Sequence, residues 1–148
     1  MAVLIVVAAA GVAELVRRRR RLDAPTQPVR DLPSQLDRRD FSEPTAAWLV
    51  AVFSSDSCSA CADVIAKAEV LRSAAIAVDV VSYQNRKDLH TRYAIDAVPC
   101  LVIADAEGTV RDGFLGPVTA ADLWAAVAEA RSPGSIEHTG CDLHQHHE

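Results

Sequence analysis

The chain has 148 residues, of which 50% are hydrophobic and 24% are charged, so it is long enough for one domain with a sizeable core and additional segments. Its formal net charge of −5 argues against nonspecific nucleic-acid binding, which depends on basic surfaces. Its four cysteines do not have the spacing of a disulfide framework, because Cys58 and Cys61 alone lie close together in the sequence.

The N-terminal segment is an apolar stretch followed by a basic run. Residues 2–16 are interrupted by Gly11 and Glu14, and residues 17–21 are five consecutive arginines. We expect residues 1–21 to be a membrane anchor with one transmembrane helix, although fifteen helical residues span about 22 Å of a hydrocarbon core of about 30 Å. A cleaved signal peptide is less favoured, because its positive charge would precede the apolar stretch. A soluble helix packed on the domain is the third interpretation.

The rest of the chain divides into a linker, a folded domain and a tail. Residues 22–43 are polar and proline-rich and are expected to be a linker. Residues 44–131 are expected to form the domain, with strands at 48–54, 76–82, 101–104 and 109–115 and helices at 59–73, 86–93 and 119–131. This order predicts an α/β fold, in which a mixed β-sheet has helices on both faces.

Local signals support three of these elements. The strand at 48–54 is apolar almost throughout and is predicted to be buried on both faces of the sheet. Gly108 is predicted to occupy the turn of a hairpin between the last two strands, where a positive φ is tolerated. Thr119, with Asp122 three residues later, is predicted to cap the last helix.

The cysteine pair lies between the first predicted strand and the first predicted helix. Cys58 and Cys61 are separated by Ser59 and Ala60, and cysteines at this spacing are typical of redox chemistry or metal binding. Near a helix N-terminus the unpaired N–H groups and the helix dipole favour a thiolate, which is the nucleophilic form of cysteine. We therefore expect Cys58 to attack a disulfide and Cys61, one turn further in, to resolve the mixed disulfide.

Four stretches of the sequence together resemble a thioredoxin-like domain. They are residues 53–61, residues 93–103 with Val98-Pro99, residues 107–108 and residues 114–116. The resemblance covers roughly residues 44–131 and implies a thiol-disulfide oxidoreductase that acts on protein thiols and disulfides. It also implies a cis peptide bond before Pro99, with the Val98 backbone pairing with substrate peptide. We expect no cofactor and no metal ligand at this site.

The sequence departs from thioredoxin itself at several positions. These are Ser57, where an aromatic residue usually precedes the first cysteine; Ser59-Ala60 in place of Gly-Pro; Val52, in place of a buried acid; and Cys100, in place of a threonine. Asp79 is the nearest candidate for a replacement proton acceptor, whereas Asp56 close to Cys58 opposes thiolate formation. The sequence therefore predicts a thioredoxin-like oxidoreductase without indicating its partner protein.

Two other function classes stay open. The first is a metal module, in which Cys58, Cys61, Cys100 or the tail binds copper or zinc. Copper-delivery proteins of this fold have three residues between their cysteines and a histidine on a distal loop, and the sequence has neither. The second class is an inactive scaffold. Because buried cysteine is common, Cys100 is interpreted as a small apolar residue of a strand rather than as a third functional thiol.

Histidines are concentrated at the C-terminus. Residues 132–148 are expected to be a flexible polar tail, which contains Cys141 with His138, His144, His146 and His147. These side chains suit zinc, copper or nickel, but a solvated terminus is the favoured interpretation. The fifth histidine, His90, is expected at the surface of its helix rather than as a catalytic base. Trp48 and Trp124 are expected to pack in the core.

The basic run also predicts the orientation of the anchor. Cytoplasmic flanks of membrane spans carry an excess of Lys and Arg, and residues 17–21 lie on the C-terminal side of the apolar stretch. The domain of this single-pass membrane protein is therefore expected to face the cytoplasm. The alternative is an extracytoplasmic location, where many anchored thioredoxin-like domains work.

Overall fold

The computed structural model describes residues 32–134, and this range contains four strands and three α-helices. They are β1 (Trp48–Ser54), α1 (Cys61–Glu69), β2 (Ile76–Ser82), α2 (Lys87–Arg92), β3 (Cys100–Asp105), β4 (Val110–Leu115) and α3 (Ala120–Arg131). The predicted order of elements is confirmed. The main difference is α1, which was predicted over 59–73 and is shorter at both ends. Its first residue has no side-chain cap, because Ala60 precedes it.

The four strands form one mixed sheet in the order β2-β1-β3-β4. β1 pairs in parallel with β2 and antiparallel with β3, and β3 pairs antiparallel with β4. β1 therefore lies inside the sheet, and every residue after Trp48 in this strand is buried. This burial explains why the strand is apolar at consecutive positions instead of alternating with polar residues.

Each face of the sheet carries its own apolar cluster. Alternation along β1 places Leu49, Ala51 and Phe53 in one cluster and Val50 and Val52 in the other. On the side of Val50 and Val52, the sheet is covered by α1 and α3, and we call this side the two-helix face. The helices contribute their buried residues Val64, Ala68, Leu123 and Val127 to that cluster.

The opposite side of the sheet is covered by α2 and by residues 32–43, which we call the N-terminal strap; this side is the strap face. The strap was expected to belong to a linker over residues 22–43, yet its Leu36 and Phe41 are buried in the strap-face cluster. The amide of Leu36 donates to the carbonyl of Gly108 at 2.8 Å, and Arg38 Nη1 donates to the carbonyl of Asp105 at 2.8 Å. The folded unit therefore begins at Leu32, and residues 22–31 lie outside the described range.

The hairpin turn and the helix cap follow the sequence signals. Gly108 has a φ of 82°, and a Cβ built there would lie 1.9 Å from the carbonyl oxygen of Leu36, so the strap adds a second reason for glycine at this position. Thr119 Oγ1 accepts a hydrogen bond from the amide of Asp122 at 3.1 Å, which confirms the predicted cap. Trp124 is different: its side chain is exposed, and the prediction that it packs in the core is wrong.

The predicted anchor (residues 1–21) and most of the predicted tail (residues 135–148) lie outside the described residues. Between residues 32 and 134, no helix has the length and apolar character that a membrane span requires.

Candidate active site

Cys58 and Cys61 form a disulfide, with their Cα atoms 5.4 Å apart. Cys61 is the first residue of α1 and is buried, whereas Cys58 lies in the preceding turn and is half-buried. The more exposed residue of the pair is therefore Cys58. This is the order of exposure that an attacking and a resolving cysteine need.

The turn before α1 differs in detail from the predicted helix start. The amide of Cys58 donates to the carbonyl of Ser55 at 3.0 Å, and the amide of Cys61 donates to the carbonyl of Cys58 at 3.2 Å. Cys58 thus lies three residues before α1 rather than in its first turn. Ala60 provides no side-chain cap, so Ala60 does not compete with an anion for the amides that follow Cys61 at the start of α1.

A glutamine from the loop after β2 holds this turn by its side chain. Gln84 Oε1 accepts hydrogen bonds from the amide of Asp56 at 3.1 Å and from Ser82 Oγ at 3.2 Å. Gln84 Nε2 donates to Ser55 Oγ at 3.1 Å. The same amide group therefore joins the loop after β2 to the turn that leads into Cys58. Gln84 could not be identified from the sequence, since a single exposed glutamine has no distinguishing local pattern.

The peptide bond between Val98 and Pro99 is cis, as the resemblance implies. The loop enters β3, and β3 is antiparallel to β1 with Cys100 opposite Phe53. The chain that leaves β1 toward the cysteine pair and the chain that enters β3 from Pro99 therefore lie at the same end of the sheet. Val98 packs against the strap-face cluster, and this contact holds the loop against that face of the sheet.

Cys100 lies near this end of the sheet but is fully buried. Its side chain belongs to the strap-face cluster, on the side of the sheet opposite α1. Burial, together with the negative charge of Asp96, raises the pKa of the Cys100 thiol to about 12. The thiol therefore stays protonated at neutral pH, which fits its interpretation as a small apolar residue.

The described residues give no support to a metal centre. Within residues 32–134, no group of three or more His, Cys, Asp or Glu side chains is placed to hold a metal ion. Cys58, Cys61 and Cys100 thus do not form a three-thiolate site in this range. The cysteine and histidines of the predicted tail lie outside the described residues.

The position of the acid found in thioredoxins is apolar here. Val52 is fully buried on the two-helix face with Val64 and Leu101. Asp79, considered above as a replacement, lies on β2 in alternation with Ala77, whose side chain is in the strap-face cluster. Its Oδ2 accepts a hydrogen bond from the amide of Ser42 in the strap at 2.6 Å. The Asp79 carboxylate is therefore hydrogen-bonded to the strap, and its assignment as proton acceptor is not supported.

His90 was expected at the surface, and this prediction is wrong. Its side chain is buried, and Nε2 donates to the carbonyl of Val81 at 2.9 Å. The ring meets Phe53 and Tyr83 edge-on, with centroid distances of 5.2 Å and 5.3 Å. α2 has six residues, which is too short for a hydrophobic period to show which side faces the sheet.

An open groove of about 580 Å³ runs beside the cis-proline loop. Tyr83, His90 and residues 94–98 are among its lining residues. The groove thus borders Val98, the residue whose backbone the resemblance assigns to substrate binding. The sequence did not reveal the groove, because its lining residues come from a loop, a short helix and the proline loop.

No protein-family profile matches the sequence, and no curated protein is significantly similar to it. Among solved structures, the chain is similar to a malarial protein at 17% identity and a TM-score of 0.52, covering 57% of this chain and 97% of that one. It is also similar to a mutant thioredoxin from Halobacterium salinarum NRC-1, at 22% identity and a TM-score of 0.51, covering 57% and 75%. Thioredoxin from Fasciola hepatica matches at 20% identity and a TM-score of 0.52, covering 60% and 85%.

At these identities the comparison establishes the fold. Residues 32–134 contain a thioredoxin-like fold, and Cys58 and Cys61 are placed to form a disulfide at the start of its first helix.

Proposed function

We propose that the domain is a thiol-disulfide oxidoreductase that acts on protein substrates through Cys58 and Cys61. The observation that carries the proposal is the disulfide between a half-buried and a buried cysteine at the start of α1. The cis-proline loop at the same end of the sheet supports it, because a substrate bound along Val98 would bring its own sulfur toward this pair.

Reduction of a substrate disulfide starts with both cysteines in their reduced form. The Cys58 thiolate attacks one sulfur of a substrate disulfide, so that a mixed disulfide forms and the other substrate sulfur leaves as a thiolate that takes up a proton. The Cys61 thiolate then attacks Sγ of Cys58, which releases the second substrate thiol and forms the Cys58–Cys61 disulfide. Two electrons pass from the dithiol to the substrate, and the reverse sequence oxidises a substrate dithiol. An external dithiol must reduce the pair again.

The surroundings of the pair act on the two steps differently. The amides that follow Cys61 at the start of α1 favour a thiolate at the turn, and the nearby Asp56 opposes it. Val52 offers no carboxylate that could accept the proton of Cys61 from the two-helix face. The proton of the resolving thiol therefore goes to water or to the departing substrate thiolate.

Substitution of each cysteine tests the assignment of roles. Cys58→Ser should abolish the reduction of insulin by a dithiol, whereas Cys61→Ser should accumulate mixed disulfides with substrate, detected by non-reducing electrophoresis and mass spectrometry. Cys100→Ala is the matched control, and it should keep disulfide exchange because that thiol is buried and protonated. Full activity of Cys58→Ser would show that this mechanism is wrong.

We also propose that residues 1–21 anchor the protein in a membrane, with the domain in the cytoplasm. The support is the apolar stretch followed by five arginines, which favours retention of that flank in the cytoplasm. Thiols are kept reduced in that compartment, so the pair would act there as a reductant or a redox sensor. A topology reporter fused after residue 148 tests the orientation. Alkaline phosphatase activity without cytoplasmic fluorescence would reverse it and recast the protein as an extracytoplasmic disulfide enzyme.

A further inference from the structure

A short segment connects α2 to the cis-proline. Residues 94–98 lie between Tyr93, which directly follows α2, and Pro99. Ala94 has a φ of 53°, and the amide of Ile95 donates to the carbonyl of His90 at 2.8 Å, so the helix stops abruptly at this point. The path of the proline loop therefore depends on where the end of α2 is held.

Tyr93 holds this end of α2 against the N-terminal strap. Its hydroxyl donates to Asp40 Oδ2 at 2.5 Å and accepts a hydrogen bond from the amide of Asp37 at 3.0 Å. Its ring stacks on Phe41 of the strap at a centroid distance of 5.9 Å and meets Phe53 of β1 at 6.3 Å. One half-buried side chain, directly before the proline loop in the sequence, thus contacts both the strap and the strand that leads to the cysteine pair.

Asp40 is held in place from two directions. Arg92 Nη1, at the end of α2, lies 2.6 Å from the same Oδ2 atom that accepts the Tyr93 hydroxyl. Burial of Asp40 disfavours its charged form, but the hydrogen bonds from Tyr93 and Arg92 outweigh this effect and hold the pKa of the carboxyl below its usual value. Asp40 is therefore a charged acceptor at neutral pH, and hydrogen bonds to charged groups are stronger than neutral ones.

We propose that Asp40 and Tyr93 are positioning residues for substrate recognition: the strap fixes Tyr93 so that residues 94–98 present the Val98 backbone to a protein substrate. The inference rests on the proposed function, since it names the residues that position the substrate-binding loop. Neither residue takes part in the exchange chemistry. Their loss should therefore weaken the binding of a polypeptide while the reactivity of the cysteine pair is kept.

Two substrates separate binding from chemistry. A protein disulfide such as insulin needs the Val98 backbone, whereas a small aromatic disulfide, 5,5′-dithiobis(2-nitrobenzoate), needs only access to Cys58. In the full-length chain, Tyr93→Phe and Asp40→Asn should each raise KM for insulin roughly three- to tenfold, the effect of one lost hydrogen bond. The rate with the small disulfide should be unchanged.

Arg39→Ala is the matched control. It removes the ion pair between Arg39 and Asp37, which has a length of 2.7 Å and lies on the same strap but exposed to solvent. KM for insulin should not change in this variant. An unchanged KM in both Tyr93→Phe and Asp40→Asn would overturn the inference, and so would an equal loss of activity on the two substrates, which would indicate a general effect on the fold or on the cysteines.

Hydrogen exchange distinguishes failure of this inference from failure of the proposed function. If the unsubstituted chain reduces neither substrate, the proposed function is wrong, and with it the role in substrate recognition. In that case the positioning itself is still measurable. Tyr93→Phe should raise the exchange rates of the amides in residues 94–98 relative to those of β1, and equal rates in the two proteins would overturn the positioning as well.

Discussion

The two faces of the sheet are built in different ways. The two-helix face is covered by α1 and α3, whose buried side chains are aliphatic. The strap face is covered by one short helix and an irregular segment, which are fastened by Tyr93, Asp40 and Arg38 as well as by apolar contacts. The cysteine pair belongs to the regular side, at the start of α1, and the proline loop belongs to the irregular side. The proposed active site thus combines a rigid reactive element with a loop whose position depends on polar contacts.

The largest loss of stability should come from truncating a buried leucine on either face of the sheet. Leu36 in the strap and Leu123 in α3 are both buried, at 1% and 0% exposure, so each Leu→Ala change should lower the free energy of unfolding by about 2–4 kcal/mol. Chemical denaturation measures both values. Val70→Ala is the control, because Val70 is 67% exposed and should matter by less than about 0.5 kcal/mol. A Leu36→Ala variant as stable as the original chain would restore the linker interpretation of the strap.

The next effect concerns the pH dependence of the strap face. Since the folded-state pKa of Asp40 is lowered, its contribution is present above the usual aspartate pKa of about 4 and is lost as the pH falls through the lowered folded value. Asp40→Asn should therefore be less stable than the original chain by about 1 kcal/mol at pH 7. The difference should disappear in thermal melts once the pH has fallen through the lowered pKa of the folded state. A difference that does not depend on pH would contradict the role given to the Asp40 carboxylate.

A smaller effect is expected at the end of α2. Ala94 adopts a left-handed φ of 53°, a conformation that glycine adopts more readily. Ala94→Gly should raise the free energy of unfolding by about 0.5 kcal/mol, because the local strain relieved is larger than the added entropy of the unfolded chain. Ala62→Gly, at an ordinary position of α1, should lower it by a similar amount. Destabilisation at both positions would contradict the role assigned to Ala94.

The smallest effect on stability is expected at Gln84, whose side chain is exposed. Gln84→Met keeps the size of the side chain but removes its hydrogen bonds to Ser55, Asp56 and Ser82. Stability should change by less than about 0.5 kcal/mol, while the exchange rate with a small disulfide should change about twofold as the turn before Cys58 loosens. Asn85→Met, on the same loop, serves as the control, and an identical rate in both variants would contradict the role given to Gln84.

How much the sequence could predict differs between the two faces for a physical reason. β1 and β2 were located to the residue. For β1 the reason is that an apolar run buried on both sides is a local signal. Gly108 and Thr119 were recognised from backbone requirements that one or two residues express. The strap offered no such signal: Leu36 and Phe41 stand among polar residues and prolines, and their burial depends on partners far along the chain.

The site was predictable to a similar extent. Cys58, Cys61 and the cis bond before Pro99 could be assigned from motif spacing and family resemblance, and the relative burial of the cysteines agrees with the roles proposed for them. The burial of His90 and the contacts of Tyr93 with the strap could not be predicted, because each depends on tertiary contacts with distant segments. Trp124 is the opposite case, a residue that was expected in the core but is exposed. The helix α3 buries only a narrow stripe of residues, and this large ring lies outside it.

The central claim is that Cys58 is the attacking thiol and Cys61 the shielded one. Alkylation of the reduced full-length chain with limiting iodoacetamide, read out by peptide mass spectrometry over time, tests this directly. We expect Cys58 to be labelled well before Cys61, and Cys100 to be labelled only after unfolding. Labelling of Cys61 before Cys58, or of both at the same rate, would contradict the account.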